Sequence, residues 1–290
     1  MLRFLVLSPG SDVEQLWLFP SLRSLSQAPA QVDVVVAPAV TSLYRLCPWV
    51  TRVLTYEYGS RNSLTEWINL LGAVRDGYYD GVILTRPSGH LSFLLWLSGV
   101  RERVGFAGAG QRWLTQVVTP KPDQYPPEYY HDLVTALGIR AACGPMAVQI
   151  PAAALTWAET QQQKLGLTAG YALVIWDGSY PHWGQVVAQL QQQQPDLPLV
   201  VMGDGGAGML RVMPEEVGQQ AAMIAGATLV LVSEAQPLLL QLTVAVQTPL
   251  VALLSAATPQ RLLPKSDVCI PLQAPTLAEI SPDQVVKALG

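Results

Sequence analysis

Three stretches of the chain place polar side chains beside glycine turns, where they could do chemistry. The first is Ser8-Pro-Gly-Ser-Asp-Val-Glu14. A strand-like run, Arg3–Leu7, leads into it. The amphipathic segment Glu14–Ser26 leads out, with apolar residues at Leu16, Leu18, Phe19, Leu22 and Leu25. Asp12 and Glu14 therefore stand at a helix N-terminus, where the helix dipole favours negative charge. Such a carboxylate can cap the helix or can take a proton as a general base.

The second stretch is Trp176-Asp-Gly-Ser-Tyr-Pro-His-Trp-Gly184, after the strand-like Tyr171–Ile175. Gly178 and Ser179 can offer backbone and hydroxyl donors to an anion at the start of the next helix, Gly184–Gln194. The loop holds no Lys or Arg, and His182 is a weak substitute for one. Trp176 and Trp183 flank the loop and are placed to line a cleft. The third stretch, Gly203-Asp-Gly-Gly-Ala-Gly208, lacks the Lys-Ser/Thr of a Walker motif and reads more simply as a turn.

Other chemistries find no support. There is no G-x-S-x-G elbow, and Ser8-Pro-Gly-Ser-Asp does not match a G-x-G-x-x-G fingerprint. His90 and His131 stand alone, with no His/Glu spacing for a metal, so structural or capping roles are expected and no cofactor or metal. Cys47, Cys143 and Cys269 are odd in number and far apart. They read as small buried hydrophobes in a reducing cytoplasm. Net charge is −4, which offers nothing to a polyanion, so nucleic acid is excluded as a partner. Half of the 290 residues are apolar and 13% are charged, enough for two medium domains with cores and a sparsely charged surface. The opening Met1–Leu7 is too brief for a secretory apolar region. No apolar run reaches the ~18–20 residues of a membrane span.

Strands and helices must alternate to position these loops. Strands are expected at Arg3–Leu7, Val32–Val36, Arg52–Tyr56, Gly81–Leu84 and Arg103–Phe106. Helices fall between them at Glu14–Ser26, Ser42–Cys47, Ser63–Asp76, His90–Leu97 and Glu128–Leu137. Ser63 and Glu66 form a capping-box pair, and Gly138 ends the last of these helices. A second series follows Val148-Gln-Ile-Pro151. Its strands are Tyr171–Ile175, Leu199–Met202, Thr228–Val232, Leu250–Leu254 and Asp267–Ile270. Its helices are Leu155–Leu165, Gly184–Gln194, Val217–Ala225, Leu238–Val246 and Pro282–Leu289. This rhythm implies an α/β fold of two Rossmann-like domains, 1–150 and 151–290, with parallel sheets facing an interdomain cleft. The last helix is free to pack back on the first domain. Ligands of such folds sit beyond the carboxyl ends of the strands.

Several segments stand out together. The first are Arg3-Phe-Leu-Val-Leu-Ser-Pro-Gly, Phe19-Pro-Ser-Leu-Arg-Ser-Leu, Val32-Asp-Val-Val-Val, and Tyr79-Asp-Gly-Val-Ile-Leu with Leu97-Ser-Gly-Val-Arg-Glu-Arg-Val-Gly-Phe. Further on come Ala222-Met-Ile-Ala-Gly-Ala-Thr-Leu-Val-Leu-Val, Thr243-Val-Ala-Val-Gln-Thr-Pro-Leu-Val-Ala-Leu and Leu263-Pro-Lys-Ser-Asp. In this order they resemble family 9 glycosyltransferases of the heptosyltransferase kind. No single segment is specific, but their order along the chain is. The resemblance implies a GT-B architecture. An acceptor domain comes first and a nucleotide-sugar donor domain second.

It further implies transfer of a heptose-like sugar from an ADP-sugar to a cell-envelope glycan or lipid-linked glycan acceptor, by an inverting route. The setting would be the cytoplasm, out to the inner face of the plasma membrane. Membrane contact there would be peripheral, with Arg101, Arg103 and Arg112 as a cluster in sequence. The family's carboxylate six residues before a proline falls on Glu14, counted back from Pro20, with Asp12 the alternative if the turn carries two extra residues. On the donor side, Gly178, Ser179 and His182 occupy the diphosphate loop, and Asp204 lies in the region near the nucleotide. Glu234 replaces the Asp of the family's Asp-Thr/Ser-Gly/Ala-x-x-His motif if one residue is inserted. A gapless count instead puts Gln236, Pro237 and Leu238 over Asp-Thr-Gly and Gln241 over the His. Either way the motif's Gly and His are absent, and so is the family's phosphate-contacting cation. Three functions stay open on this reading: sugar transfer, a non-catalytic relative that binds or scaffolds, and a small-molecule binder.

Overall fold

The computed structural model describes residues 1–27, 29–59, 63–167, 170–206, 208–266 and 268–289. The chain forms two compact units, Met1–Gln149 and Ile150–Gly290. In the first, the strands are β1 (Leu2–Ser8), β2 (Ala30–Val36), β3 (Arg52–Thr55), β4 (Gly81–Leu84), β5 (Glu102–Phe106) and β6 (Gln116–Val118). The helices are α1 (Asp12–Gln27), α2 (Leu64–Asp76), α3 (Gly89–Ser98) and α4 (Pro126–Ala136). The strands lie in the order β3-β2-β1-β4-β5-β6, all parallel.

In the second unit the strands are β7 (Ala172–Trp176), β8 (Leu199–Gly203), β9 (Leu210–Val212), β10 (Leu229–Ser233), β11 (Leu250–Ser255) and β12 (Cys269–Ala274). The helices are α5 (Ala152–Lys164), α6 (Trp183–Gln193), α7 (Val217–Gly226), α8 (Pro237–Val246) and α9 (Pro282–Lys287). The order β12-β11-β10-β7-β8-β9 is also all parallel and repeats the first sheet's winding. Each sheet reverses direction once, between β1 and β4 and between β7 and β10. That reversal opens the crevice in which doubly wound folds bind ligands.

The strands are buried on both faces, as parallel sheets require. Leu5, Leu7, Val34, Val35 and Val82 are fully or almost fully covered in the first unit. Val174, Val201, Leu231 and Val251 are so in the second. The β-branched run Val34–Val36 suits this because it packs well on a pleated surface. The capping box at the start of α2 is formed: Ser63 Oγ accepts from the Glu66 amide at 3.2 Å, and Glu66 Oε2 accepts from the Ser63 amide at 2.9 Å. Helix α9 belongs to the second unit, where Val285 and Val286 pack with Trp183, Val186 and Leu190 of α6.

Several element expectations shift. The segment expected as a short helix at Ser42–Cys47 is a 3-10 helix over Pro38–Leu46. Helix α1 begins at Asp12, two residues early, which puts both candidate carboxylates in its first turn. The short edge strands β6 and β9 have no counterpart in the sequence reading. The final strand runs Cys269–Ala274 rather than ending at Ile270, and position 267 of the expected strand lies outside the described residues. Among the described residues, no helix is long and apolar enough to cross a membrane.

Candidate functional site

In the first unit, the turn after β1 meets the residue that leaves β4. Gly10 lets the turn fold tightly against α1, since a Cβ there would lie 2.8 Å from Glu14 Cβ and 2.9 Å from Oε2. Glu14 Oε2 accepts from the Ser11 amide at 2.8 Å and from Ser11 Oγ at 3.2 Å. Arg86 Nη2 reaches Oε1 at 2.7 Å and Oε2 at 2.5 Å. Tyr130, on α4, donates its hydroxyl to Oε1 at 3.1 Å. Burial pushes the Glu14 carboxyl up. The Arg86 bond and charge, the Ser11 amide and the Tyr130 hydroxyl outweigh it, so the group titrates below its ordinary value.

Asp12 is half-buried in the same turn, and its Oδ1 accepts from the Val13 amide at 2.8 Å. It has no such cationic partner among the described contacts. Burial, reinforced by the Glu14 charge and the hydroxyl's bond to it, drives the Tyr130 phenol far above its ordinary value. Tyr129 is raised by burial and by the same charge.

The turn is braced from beneath by Gln15, which is fully buried. Its Nε2 donates to the Ser8 carbonyl at 3.3 Å and to the Gly10 carbonyl at 2.9 Å, and its Oε1 accepts from Tyr44 OH at 2.6 Å. Sequence reasoning missed both Gln15 and Arg86. The available signal for Arg86 was its place one residue past the Thr85 that follows β4, since β4 pairs with β1 in this strand order.

The second unit has an equivalent crevice where β7 and β10 end. It holds Asp177, Ser179 and Ser233. Asp177 Oδ1 accepts from the Ser179 amide at 2.8 Å and from the Ser179 hydroxyl. Its Oδ2 accepts from the Ser233 hydroxyl. The two hydroxyls lie 3.0 Å apart, and Ser233 is fully buried. Ser233 Oγ also accepts from the Ala235 amide at 3.2 Å. Gly178 has open space around it.

The remaining expected donor-side residues are dispersed. His182 Nε2 lies 3.0 Å from the Ala278 carbonyl, so its ring ties the start of α6 to the segment before α9. Asp204 is almost fully exposed, with Arg211 Nη2 at 3.5 Å. Glu234 accepts at Oε2 from the Ser255 amide at 2.7 Å, which fastens the exit of β10 to the exit of β11. Burial raises the Glu234 pKa, but bonds to the Ser255 and Thr258 hydroxyls and to the Ser255 amide outweigh it and lower it. Pro237 opens α8 and has no N–H to give.

Trp183, expected at a cleft, is fully buried in the core of this unit. Its neighbour in that expectation, Trp176, packs against the glycine loop, where a Cβ on Gly205 would lie 2.0 Å from the indole Cδ1. That contact, and the positive φ of Gly203 (130°) and Gly206 (72°), account for the glycines by packing and turn geometry. Among the described residues no cluster of His, Cys, Asp and Glu could hold a metal. His131 Nε2 lies 2.7 Å from the Ala141 carbonyl, and His90 Nδ1 is 3.2 Å from Ser88 Oγ.

Solved structures share this architecture along the whole chain. A glycosyl transferase of family 9 from Veillonella parvula is 17% identical, covers 99% of this chain and 96% of its own, and has a TM-score of 0.83. The ADP-heptose lipopolysaccharide heptosyltransferase II of Escherichia coli is 17% identical, with 99% and 97% covered and a TM-score of 0.78. An E. coli heptosyltransferase bound to ADP is 16% identical, with 99% of each chain covered and a TM-score of 0.74. No protein-family model and no curated protein matches the sequence. The chain thus has the two-domain α/β fold of the GT-B kind that these glycosyltransferases have.

Proposed function

We propose that the protein is a relative of the family 9 glycosyltransferases that binds a cell-envelope glycan without transferring a sugar to it. One observation carries this reading, the carboxylate of Asp177 at the β7–β10 crevice. A donor diphosphate needs cations or free amides there to stabilise its developing charge. Asp177 instead adds a negative charge. At ~5 Å and an effective dielectric of ~20 it opposes each phosphate charge by roughly 3 kcal/mol. Three donors at this crevice are engaged, since the Ser179 amide and hydroxyl and the Ser233 hydroxyl all bond Asp177. Pro237 removes another amide from the start of α8.

Calorimetry of the full chain with ADP, an ADP-sugar, UDP and GDP tests this reading. No saturable heat is expected at millimolar ligand. Binding with a submillimolar Kd would refute it.

Glu14 favours a second reading, an active inverting transferase of the heptosyltransferase type. Its carboxylate is held ionised at neutral pH, as a general base must be, and it sits at the exit of β1. Against this, Arg86, Ser11 and Tyr130 occupy both oxygens. If turnover of an ADP-sugar is found, Glu14→Gln should abolish it while leaving nucleotide binding intact.

A further inference from the structure

Helices α2 and α3 lie side by side over the core that Leu5, Val82, Leu91 and Leu95 build on one face of the first sheet. Their outer faces stay apolar. On α2, Leu64, Ile68 and Gly72 follow at four-residue spacing and so share one face. Leu64 is 73% and Ile68 53% exposed. On α3, Trp96 is 45% and Phe93 36% exposed. That helix bears no Asp, Glu, Lys or Arg along its length, the composition of a helix covered on every side. Rings join the two helices: Phe93 lies 6.5 Å from Trp67 of α2, 5.7 Å from Trp96 and 5.2 Å from Trp113 of the 3-10 turn Gln111–Trp113.

Gly72 stands inside α2, where glycine costs about 1 kcal/mol against alanine. Among the described residues, a Cβ there would meet nothing within 4 Å. Packing within the chain therefore does not require the glycine, and it leaves a notch open to a surface that approaches from outside. The margins of the patch differ in sign. On the β3 side, Glu57 and Glu66 line the groove between the exit of β3 and α2. On the other side, Arg112 stacks over Trp113 at 4.8 Å. Arg103 is turned inward, where it bonds the Val100 and Trp113 carbonyls.

We infer that two copies of the chain pair through this face about a two-fold axis. Such an axis between α2 and α3 turns the patch end for end. It sets α3 of one copy against α2 of the other, so an exposed ring comes over the Gly72 notch. It also brings the acidic margin of each copy to the partner's Arg112. The four exposed side chains offer on the order of 400 Å² of apolar surface. A standard interface buries about 800 Å² per partner, a little over half of it apolar, so the patch has the size of one interface core. A lipid bilayer matches it less closely, because anionic headgroups repel the acidic margin and lipid chains make no use of a notch in a helix. The inference stands apart from the proposed function, because the face shares no residue with either crevice.

Sedimentation equilibrium of the full chain tests it. Wild type should form a dimer with a Kd in the micromolar range or tighter. Ile68→Glu and Gly72→Leu should each raise that Kd by about tenfold or more. Both positions are on the outer face, and Gly72→Leu also improves helix propensity, so lost folding does not account for the effect. Glu66→Lys and Arg112→Glu should each raise the Kd by about fivefold or more, since each sets like charges face to face. An equimolar mixture of those two variants should recover pairing, because every facing charge in the mixed dimer is again opposite. Wild type that stays monomeric at about 100 µM would overturn the inference, as would a dimer that Ile68→Glu and Gly72→Leu both leave intact. A mixture that pairs no better than either variant alone would overturn the two-fold arrangement. Vesicle binding by a monomeric chain, strengthened by the added apolar surface of Gly72→Leu, would give the face to lipid instead.

Discussion

Glu14 and Arg86 lie 72 residues apart in the chain, and one guanidinium nitrogen of Arg86 bonds both oxygens of the Glu14 carboxylate. The pairing follows from strand order. Because β4 lies beside β1, the residues leaving these two strands face each other across the crevice. In the second unit the corresponding exits bring Asp177 to Ser233, and no cation joins them among the described contacts. Two sheets with one winding thus present opposite chemistry at equivalent places, an ion pair in one and a hydroxyl-bound carboxylate in the other.

The Glu14 shift makes part of the stability pH-dependent. A carboxyl whose pKa is lower in the folded chain contributes stability above its unfolded value, and that contribution is lost as pH falls through the folded value. The unfolded reference is 4.5, and Glu14 titrates below it. Urea midpoints of wild type and Glu14→Gln should therefore differ most well above pH 4.5 and converge as pH falls progressively below it. A gap independent of pH would show that the ion pair does not set the Glu14 pKa.

Gln15 should matter more for stability than an ordinary helix residue. Gln15→Leu keeps most of the volume but strands the Tyr44 hydroxyl and the Ser8 and Gly10 carbonyls beneath the turn. A loss of about 2–3 kcal/mol in urea denaturation is expected, from buried polar groups left without partners. A loss within about 0.5 kcal/mol would mean that water replaces the side chain.

Asp177→Asn removes the charge at the β7–β10 crevice, keeps one acceptor oxygen for Ser179, and turns the other position into an amide that can donate to the Ser233 hydroxyl. If repulsion is what excludes nucleoside diphosphates, calorimetry should show ADP affinity rising by about tenfold or more over wild type. Unchanged affinity would place the obstruction elsewhere, with Pro237 and Leu238 at the start of α8 the next residues to alter.

Gly205→Ala probes the Trp176 contact. The added methyl would collide with the indole, so the glycine loop or the ring must move. Overpacking of this kind costs typically about 1–3 kcal/mol. Thermal unfolding followed by tryptophan fluorescence should register both the loss and a shifted Trp176 environment. An unperturbed spectrum and midpoint would show that the loop yields freely.

Local pattern alone determined the alternation of elements, the capping box of Ser63 and Glu66, and the carboxylates at the head of α1. Each of these depends on residues only a few positions apart. The doubly buried strands also showed, because burial on both faces demands unbroken apolar runs such as Val34–Val36. The edge strands β6 and β9 escaped notice. Each has three residues, Gln116–Val118 and Leu210–Val212, and most of these face solvent, so no apolar run announces them. Only the tertiary structure decided which carboxylate gained a cation, that His182 would bond the Ala278 carbonyl, and that Trp183 would be core. Those outcomes depend on which strands become neighbours after long crossovers. The free energy that selects the neighbours is spread over the whole packed sheet, so no short stretch of sequence encodes it.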